Sequence, residues 1–115
     1  MLVVEDEAEL RGMFGEVLQD AGYEVAMAAN GYEALRVLAA LEAPAALILL
    51  DLMMPVLDGH GFLARLRANS TLPQIPVLVL TGSDVPVPPG AQALLRKPAR
   101  LEALLAAVAQ YVRQS

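Results

Sequence analysis

The chain has 115 residues, of which 57% are hydrophobic and 18% are charged, so we expect one domain with a full core and exclude wholesale disorder. Thirteen acidic residues against eight basic ones give a formal net charge of −5, which disfavours direct binding of nucleic acid. Cysteine is absent, so disulfides, thiol nucleophiles and thiolate metal sites are excluded.

The beginning of the chain carries no sign of a secretory leader or a membrane span. Three apolar residues are followed by acids, and no basic segment precedes them. The apolar run at 45–50 is ended by Asp51, whereas a membrane-spanning helix needs about 20 such residues. We therefore expect a single domain over residues 1–115 that is soluble, cytoplasmic and independent of membranes.

The first half of the chain predicts two strand–helix units and a third strand. Residues 2–4 and 23–28 are the first two strands, and residues 46–50 are apolar throughout, as in a strand buried on both faces of a parallel sheet. Apolar residues at helical intervals predict a helix after the first strand: Leu10, Met13, Phe14, Val17, Leu18 and Ala21. A second helix follows the second strand.

Three short signals predict where these helices begin and end. Gly22 is a plausible stop for the first helix. Asn30 followed by Glu33 resembles a capping box that opens the second helix. Asp58 and Gly59 form a turn that opens a third helix.

The second half of the chain predicts two more strands and a last helix, with an unusual connection between the strands. Residues 77–80 and 93–95 are the strands. Between them, residues 81–90 contain three prolines in four positions, which forbids a regular helix there. The last helix is indicated by its apolar face: Leu101, Leu104, Leu105, Val108, Tyr111 and Val112.

Alternation of strands and helices predicts a doubly wound parallel sheet, in which ligands sit beyond the carboxyl ends of the strands. Polar residues follow four of the five predicted strands: Glu5 and Asp6 the first, Asp51 the third, Thr81 the fourth and Lys97 the fifth. We therefore expect three carboxylates, a hydroxyl and an ammonium at one edge of the sheet.

These side chains suit a hard cation and a phosphoryl group. Three carboxylates form an oxygen site of the kind that Mg²⁺ accepts. A carboxylate can also act as a nucleophile toward phosphorus, and a lysine and a hydroxyl can hold phosphoryl oxygens. Lys97 is the only lysine of the chain, against seven arginines, which indicates a task for a compact ammonium.

At these residues the chain resembles the receiver domain of two-component response regulators. The matching segments are Val3-Val4-Glu5-Asp6-Glu7, Asp51-Leu52-Met53-Met54-Pro55-Val56-Leu57-Asp58-Gly59, Val79-Leu80-Thr81-Gly82 and Lys97-Pro98. Their order and spacing cover nearly the whole chain. The resemblance implies a flavodoxin-like α/β fold with a five-stranded parallel sheet in the order 2-1-3-4-5.

The resemblance also implies a magnesium site and a phosphoacceptor. Asp51 resembles the aspartate that receives the phosphoryl group. Glu5, Asp6, Asp51 and the backbone carbonyl of Met53 resemble the Mg²⁺ ligands. The implied donor is a phosphohistidine on a histidine kinase or a histidine phosphotransfer domain. The chain would catalyse only its own phosphorylation and dephosphorylation, and a fused kinase or output domain could belong to a longer chain.

Two further residues match the family's switch, and a third matches a proline of its pattern. Thr81 resembles the hydroxyl that moves onto the phosphoryl group, and Lys97 resembles the lysine that pairs with it. Pro98 resembles the proline whose preceding peptide bond is usually cis in this family. Together with Asp51, these residues imply that phosphorylation changes the conformation of the domain.

The chain departs from the family pattern at several positions. Leu94 stands where the family usually has an aromatic, Ala99 also replaces a frequent aromatic, and Glu5 replaces a common aspartate. Only eight residues separate Thr81 from Gly90, too few for the helix that the family places between its fourth and fifth strands. We therefore predict that a proline-rich loop over 81–90 replaces this helix and is the segment that responds to phosphorylation.

Other classes of function remain as alternatives. A pseudo-receiver, which would act as a phosphorylation-independent protein-interaction module, is favoured by the missing helix and disfavoured by the intact acids and lysine. A haloacid-dehalogenase-type phosphatase would have a second aspartate two residues after the nucleophile, where this chain has Met53. A dinucleotide-binding domain would have a glycine-rich turn after the first strand, where this chain is acidic.

Overall fold

The computed structural model describes residues 1–52, 57–69, 75–82, 85–97 and 100–112, and all structural statements refer to these residues. From β1 to β4, each strand is followed by one helix before the next strand begins. In chain order the elements are β1 (Leu2–Val4), α1 (Ala8–Asp20), β2 (Ala26–Ala28), α2 (Gly31–Ala40), β3 (Ile48–Asp51), α3 (Gly59–Ala68), β4 (Val77–Thr81), β5 (Ala93–Arg96) and α4 (Leu101–Tyr111). None of the described helices combines the length and the apolar character that a membrane crossing requires.

The five strands form one parallel sheet in the order β2-β1-β3-β4-β5, which confirms the predicted doubly wound, flavodoxin-like α/β fold. Val4 of β1 is level with Leu50 of β3, and Leu50 is level with Val79 of β4. The three central strands are buried along their whole length. This register brings the carboxyl ends of β1, β3 and β4 to a common edge.

Two apolar clusters cover the two faces of the sheet, as continuous burial of the central strands requires. Alternate residues of one strand face opposite clusters, so Val3 belongs to one and Val4 to the other. The first cluster includes Phe62, Leu63 and Leu66 of α3 and Ala34 and Leu38 of α2. The second includes Phe14 and Leu18 of α1 and Leu104 and Val108 of α4.

Side-chain and glycine signals set the helix boundaries as predicted. Asn30 Oδ1 accepts the Glu33 amide at 2.9 Å and opens α2, and Asp58 Oδ1 accepts the Gly61 amide at 2.9 Å and opens α3. Gly22 ends α1 with a φ of 100°, a conformation that favours glycine. Each cap occupies backbone groups that would otherwise lack a partner within the helix.

The second strand is shorter than predicted, because the end of α1 uses part of the predicted segment. The amide of Tyr23 donates to the carbonyl of Leu18 at 3.1 Å, which completes the helix terminus. Pairing with β1 therefore covers only Ala26–Ala28, whereas the sequence predicts a strand from residue 23. The third strand starts at Ile48, two residues later than predicted, and the third, fourth and fifth strands each end one residue beyond their predicted ends.

The connection between β4 and β5 contains no helix among its described residues, 82 and 85–92, in agreement with the prediction from its prolines. The Ala91 amide donates to the Pro88 carbonyl at 3.1 Å and closes a tight turn. Pro89 and Gly90 occupy the centre of this turn, and the φ of 93° at Gly90 matches a type II turn. Pro88 is buried, so the loop contributes an apolar side chain to the surface that it crosses.

Arg67 of α3 holds this turn in place. Its guanidinium donates to the Gly90 carbonyl through Nε at 3.1 Å and through Nη2 at 2.6 Å. Nη2 also donates to the Ile75 carbonyl, just before β4, at 2.8 Å. One side chain therefore joins the third helix, the approach to β4 and the turn before β5.

Candidate functional site

The carboxyl edge of the sheet brings together the predicted site residues that lie in the described chain. Glu5 and Asp6 directly follow β1, while Asp51 and Thr81 are the last residues of β3 and β4. Lys97 directly follows β5. Glu5, Asp51 and Thr81 are buried, whereas Asp6 is exposed, so the cluster opens to solvent on the side of Asp6.

The three acids form the cluster that the sequence predicts. One carboxylate oxygen from each of Glu5, Asp6 and Asp51 lies within 4.8 Å of the other two. Three carboxylates so close together repel one another unless positive charge lies among them. With Lys97 included, the four side chains carry a formal net charge of −2. The donor atoms and the charge both fit one hard divalent cation.

Lys97 lies between two of these acids. Its Nζ is 2.9 Å from Glu5 Oε1 and 3.4 Å from Asp51 Oδ2. Partial burial lowers the pKa of the ammonium, but the hydrogen bond to Glu5 and the charges of Asp51 and Glu5 outweigh this effect. The pKa of Lys97 therefore stands above its ordinary value, and the side chain is charged at neutral pH.

Backbone contacts fix the acidic loop that precedes α1. The Glu7 amide donates to Glu5 Oε2 at 3.2 Å. Nη1 of Arg11 donates to the carbonyl of Glu5 at 2.9 Å and to that of Asp6 at 3.3 Å. Arg11 was not among the predicted site residues. Its only signal in the sequence is a position one turn into the helix that follows the acids.

Thr81 is fully buried at the end of β4 and is joined to the lysine through the backbone. Its carbonyl accepts the Lys97 amide at 2.8 Å, directly after the paired residues Thr81 and Arg96. The hydroxyl-bearing residue and the ammonium-bearing residue are thus fixed side by side. A displacement of the Thr81 backbone would therefore also displace the Lys97 backbone, and the reverse.

Comparison with known proteins decides the family. The family model of the response regulator receiver domain matches residues 1–109. The chain belongs to this family. A relative, the response regulator MprA of Mycobacterium ulcerans, is 39% identical over all of this chain and 50% of its own length. The chain spans between about a third and a half of the curated relatives that it matches.

Solved receiver structures share the fold. The chemotaxis protein CheY4 of Vibrio cholerae is similar with a TM-score of 0.85 and 34% identity, over 96% of both chains. The response regulator protein TrrA of Thermotoga maritima, in complex with Mg²⁺ and beryllofluoride, has a TM-score of 0.83 and 27% identity over 96% of both chains.

Several predictions about the receiver site fall on residues outside the described chain. These are the Met53 carbonyl as a metal ligand, the cis peptide bond before Pro98 and the consequence of Ala99. Leu94, which replaces the usual aromatic, is described. It is half-buried, pairs with Val79 and packs against the cluster that contains Phe62. At this position the side chain therefore serves as a core contact on β5.

Proposed function

We propose that this receiver domain is a phosphoacceptor of a two-component phosphorelay, with Asp51 as the acceptor. The observation that carries the proposal is the position of the Asp51 carboxylate. It lies within 4.8 Å of the acids Glu5 and Asp6, and 3.4 Å from the Lys97 ammonium. A nucleophilic oxygen, a cation site and a fixed positive charge therefore meet at one point.

The proposed reaction transfers a phosphoryl group from a phosphohistidine to Asp51. An Asp51 carboxylate oxygen forms the new P–O bond while the P–N bond of the donor breaks, and the histidine nitrogen keeps the electron pair of that bond. Hydrolysis later replaces the aspartyl P–O bond with a bond to water oxygen and releases inorganic phosphate. The domain catalyses only these reactions of its own aspartate and is otherwise not an enzyme.

The neighbouring side chains have separate tasks in this proposal. Lys97 donates hydrogen bonds to the phosphoryl oxygens and balances their charge. The Thr81 hydroxyl is the second donor, and its backbone link to Lys97 couples the two responses. Phosphorylation adds about −1.5 to −2 charge at this point. This charge attracts the Lys97 ammonium and the Thr81 hydroxyl and so drives the proposed conformational change.

Glu5, Asp6 and Asp51 would hold Mg²⁺, together with the carbonyl of Met53. When bound, the ion would neutralise negative charge on the phosphoryl oxygens and orient them. The support comes from the oxygen-only donor set and from the net charge of −2 that the three acids and Lys97 carry together. The solved TrrA structure is a complex with Mg²⁺ and beryllofluoride, which agrees with such a site.

Intact-mass measurement after incubation with acetyl phosphate and Mg²⁺ tests the assignment. We expect one phosphoryl adduct on the wild-type chain and none on Asp51→Asn, which keeps the size of the side chain but removes the nucleophile. Chelation of Mg²⁺ should also prevent the adduct. An adduct that persists in Asp51→Asn would place the acceptor elsewhere.

One structural feature favours a second function. The connection between β4 and β5 lacks a helix over its described residues and packs its turn against α3, so this surface differs from the pattern that the resemblance implies. A pseudo-receiver that binds a partner without phosphorylation would be consistent with this change. The absence of any adduct from acetyl phosphate, with native folding confirmed by circular dichroism, would favour that alternative.

The proposed partner is a cytoplasmic histidine kinase or histidine phosphotransfer domain. Relatives of this chain include transcriptional regulators about twice its length. A further output or kinase domain on a longer chain therefore belongs to the proposal. Direct binding of nucleic acid by this domain is not expected, since its formal net charge is −5.

A further inference from the structure

A cavity lies at the amino edge of the sheet, where β3 and β4 begin, opposite to the edge that carries Asp51. It is bounded by α2, by the segment 41–45 that follows α2, and by α3, and its volume is about 510 Å³. Binding sites for small molecules measure roughly 300–1,000 Å³ and are mostly apolar, with a few polar groups that orient the ligand. Leu38, Ala45 and Ile75 line the cavity and are buried in the core, so a ligand would rest against packed residues.

The segment 41–45 separates this cavity from a second one. The second cavity, of about 550 Å³, is lined by the same segment together with Met1 and residues 24–26. Leu41 is one of the large hydrophobic side chains that remain exposed, and Pro44 is exposed as well. An apolar ligand between α2 and this segment would therefore remove apolar surface from water.

Arg65 supplies a cation to the first cavity and is oriented by an aromatic ring. Its guanidinium carbon lies 5.2 Å from the centre of the Tyr32 ring. This contact uses the face of the ring and leaves the guanidinium N–H groups for an acceptor. Within the described part of the chain, Arg65 forms no ion pair with a carboxylate. The guanidinium can therefore receive a carboxylate from a ligand.

Glu42 supplies the opposite charge from another wall of the cavity. It lies in the segment 41–45, is exposed, and is not ion-paired with Arg65. A ligand with one negative and one positive end can satisfy both side chains. A simple carboxylate would be repelled by Glu42, and a simple ammonium would be repelled by Arg65.

We propose that this cavity binds a small apolar zwitterion of dipeptide size, with its carboxylate at Arg65 and its ammonium at Glu42. The size follows from the volume, which equals that of about 17 water molecules in the liquid. A dipeptide of two leucines has a similar number of non-hydrogen atoms. The site is at the opposite edge of the sheet from Asp51, so binding requires neither Mg²⁺ nor phosphorylation.

The probe is the dipeptide L-leucyl-L-leucine, and the measurement is the set of amide chemical shifts in nitrogen-15 NMR without Mg²⁺. We expect saturable shifts at the amides of Leu38, Ala45 and Ile75, with a dissociation constant in the millimolar range. Shifts that stay linear with peptide concentration, or that occur only elsewhere, would overturn the proposal.

Two variants test the charged contacts. Arg65→Gln and Glu42→Gln should each raise the dissociation constant about three- to tenfold, as loss of a partly exposed charged contact predicts. Arg36→Gln on α2 and Glu16→Gln on α1 make the same changes at exposed residues outside the cavity, and should leave the constant unchanged. An effect no larger in the cavity variants than in these controls would refute the proposed contacts.

Blocked dipeptides test the same contacts from the side of the ligand. N-acetyl-leucyl-leucine lacks the ammonium and leucyl-leucinamide lacks the carboxylate, so both should bind the wild type more weakly than the free dipeptide. Glu42→Gln should not weaken the acetylated peptide further, because the contact is already lost. If the acetylated peptide binds the wild type more tightly than the free dipeptide does, the site takes a simple carboxylate and the zwitterion assignment is wrong.

Discussion

The acidic edge, formed by Glu5, Asp6, Asp51 and Lys97 at the carboxyl ends of the strands, and the connection between β4 and β5 are held in place by different kinds of contact. At the acidic edge, charged side chains from β1, β3 and the segment after β5 meet through long-range contacts, and Lys97 bonds to Glu5 across 92 positions of sequence. In the connection, a turn of proline and glycine is tied down by Arg67 through backbone carbonyls. One region brings charged side chains together at one point, whereas the other, over its described residues, has hydrogen bonds to the main chain where the family pattern has a helix.

The difference shows which parts of the receiver fold can vary. In the proposed reaction the acids and the lysine would act on one small group of atoms, so each would have to keep its place to a fraction of an ångström. The connection has only to cross from β4 to β5 and cover apolar surface. Over its described residues it does so without a helix, through the buried Pro88 and the bonds of Arg67 to Gly90. The arrangement of the acids and the lysine can therefore be retained while the surface that this connection forms against α3 changes.

The largest effect is expected where the acidic edge meets the backbone of α3. A Cβ at Gly59 would lie 2.7 Å from Leu52 Cα and 3.0 Å from the carbonyl oxygen of Asp51. These backbone atoms cannot move aside without shifting Asp51, so Gly59→Ala should cost about 3 kcal/mol of unfolding free energy. Urea denaturation measures this change, and loss of the acetyl phosphate adduct should accompany it.

Gly12→Ala is the matched control. Gly12 lies within α1, and a Cβ there would meet nothing within 4 Å. Alanine is the better helix former, so this variant should gain about 0.5–1 kcal/mol. Equal destabilisation in the two variants would show that Gly59 is not limited by contact with β3.

The next effect concerns the turn that replaces the helix. Gly90 has a φ of 93°, and an added Cβ would lie 3.1 Å from Arg67 Cγ. Gly90→Ala should therefore cost about 2 kcal/mol, most of it from the left-handed backbone. Gly82→Ala, where a Cβ meets open space, is the control and should change stability by less than about 0.5 kcal/mol. A neutral Gly90→Ala would mean that the turn is not rigid.

A smaller loss is expected from Arg67→Ala. It removes the donor to the Gly90 and Ile75 carbonyls, for which we expect about 1.5 kcal/mol, because the guanidinium is partly exposed. Hydrogen exchange should accelerate at the Ala91 amide. Arg67→Lys keeps the charge but lacks the planar fork, so it should recover only part of the loss. Full recovery by lysine would show that charge alone holds the turn.

The sequence predicts the charged edge better than the contacts that support it. Strand ends and spacing place Asp51 and Lys97 together, since parallel strands end at one edge. Glycine and proline likewise predict the irregular connection. The bonds of Arg11 and Arg67 to carbonyls escape prediction, because a long side chain that reaches distant backbone leaves no periodic pattern. The preference of Lys97 for one of two acids depends on differences below an ångström, which composition and spacing do not encode.

The response to phosphorylation should separate the two ends of the connection. The prediction from sequence assigns the movement to the whole of 81–90. Because Arg67 fixes Gly90 and Pro88 is buried, we expect the change, among the described residues, to fall at residues 82 and 85–87. Amide chemical shifts with and without beryllofluoride would show larger changes there than at 88–92. Larger changes at Leu94 and α4 would contradict this assignment.

The smallest expected effect is at the acidic edge, where the ionisation of Lys97 should make the unfolding free energy depend on pH. Because Glu5 and Asp51 hold its pKa above the ordinary value of 10.5, the folded protein binds this proton more tightly than the unfolded chain does. Its stabilising contribution is therefore complete below about pH 10 and is lost as the pH rises through the higher folded pKa. In EDTA, over the alkaline range, the advantage of the wild type over Lys97→Met in unfolding free energy should stay constant up to the ordinary lysine pKa of 10.5 and fall as the pH rises above it. Tyrosines and arginines titrate in both proteins, so only the difference between the two unfolding free energies measures Lys97. If the difference in unfolding free energy stays constant across this range, the two acids do not raise the pKa of Lys97 in the folded protein. The ion pairs at the acidic edge would then contribute nothing to stability.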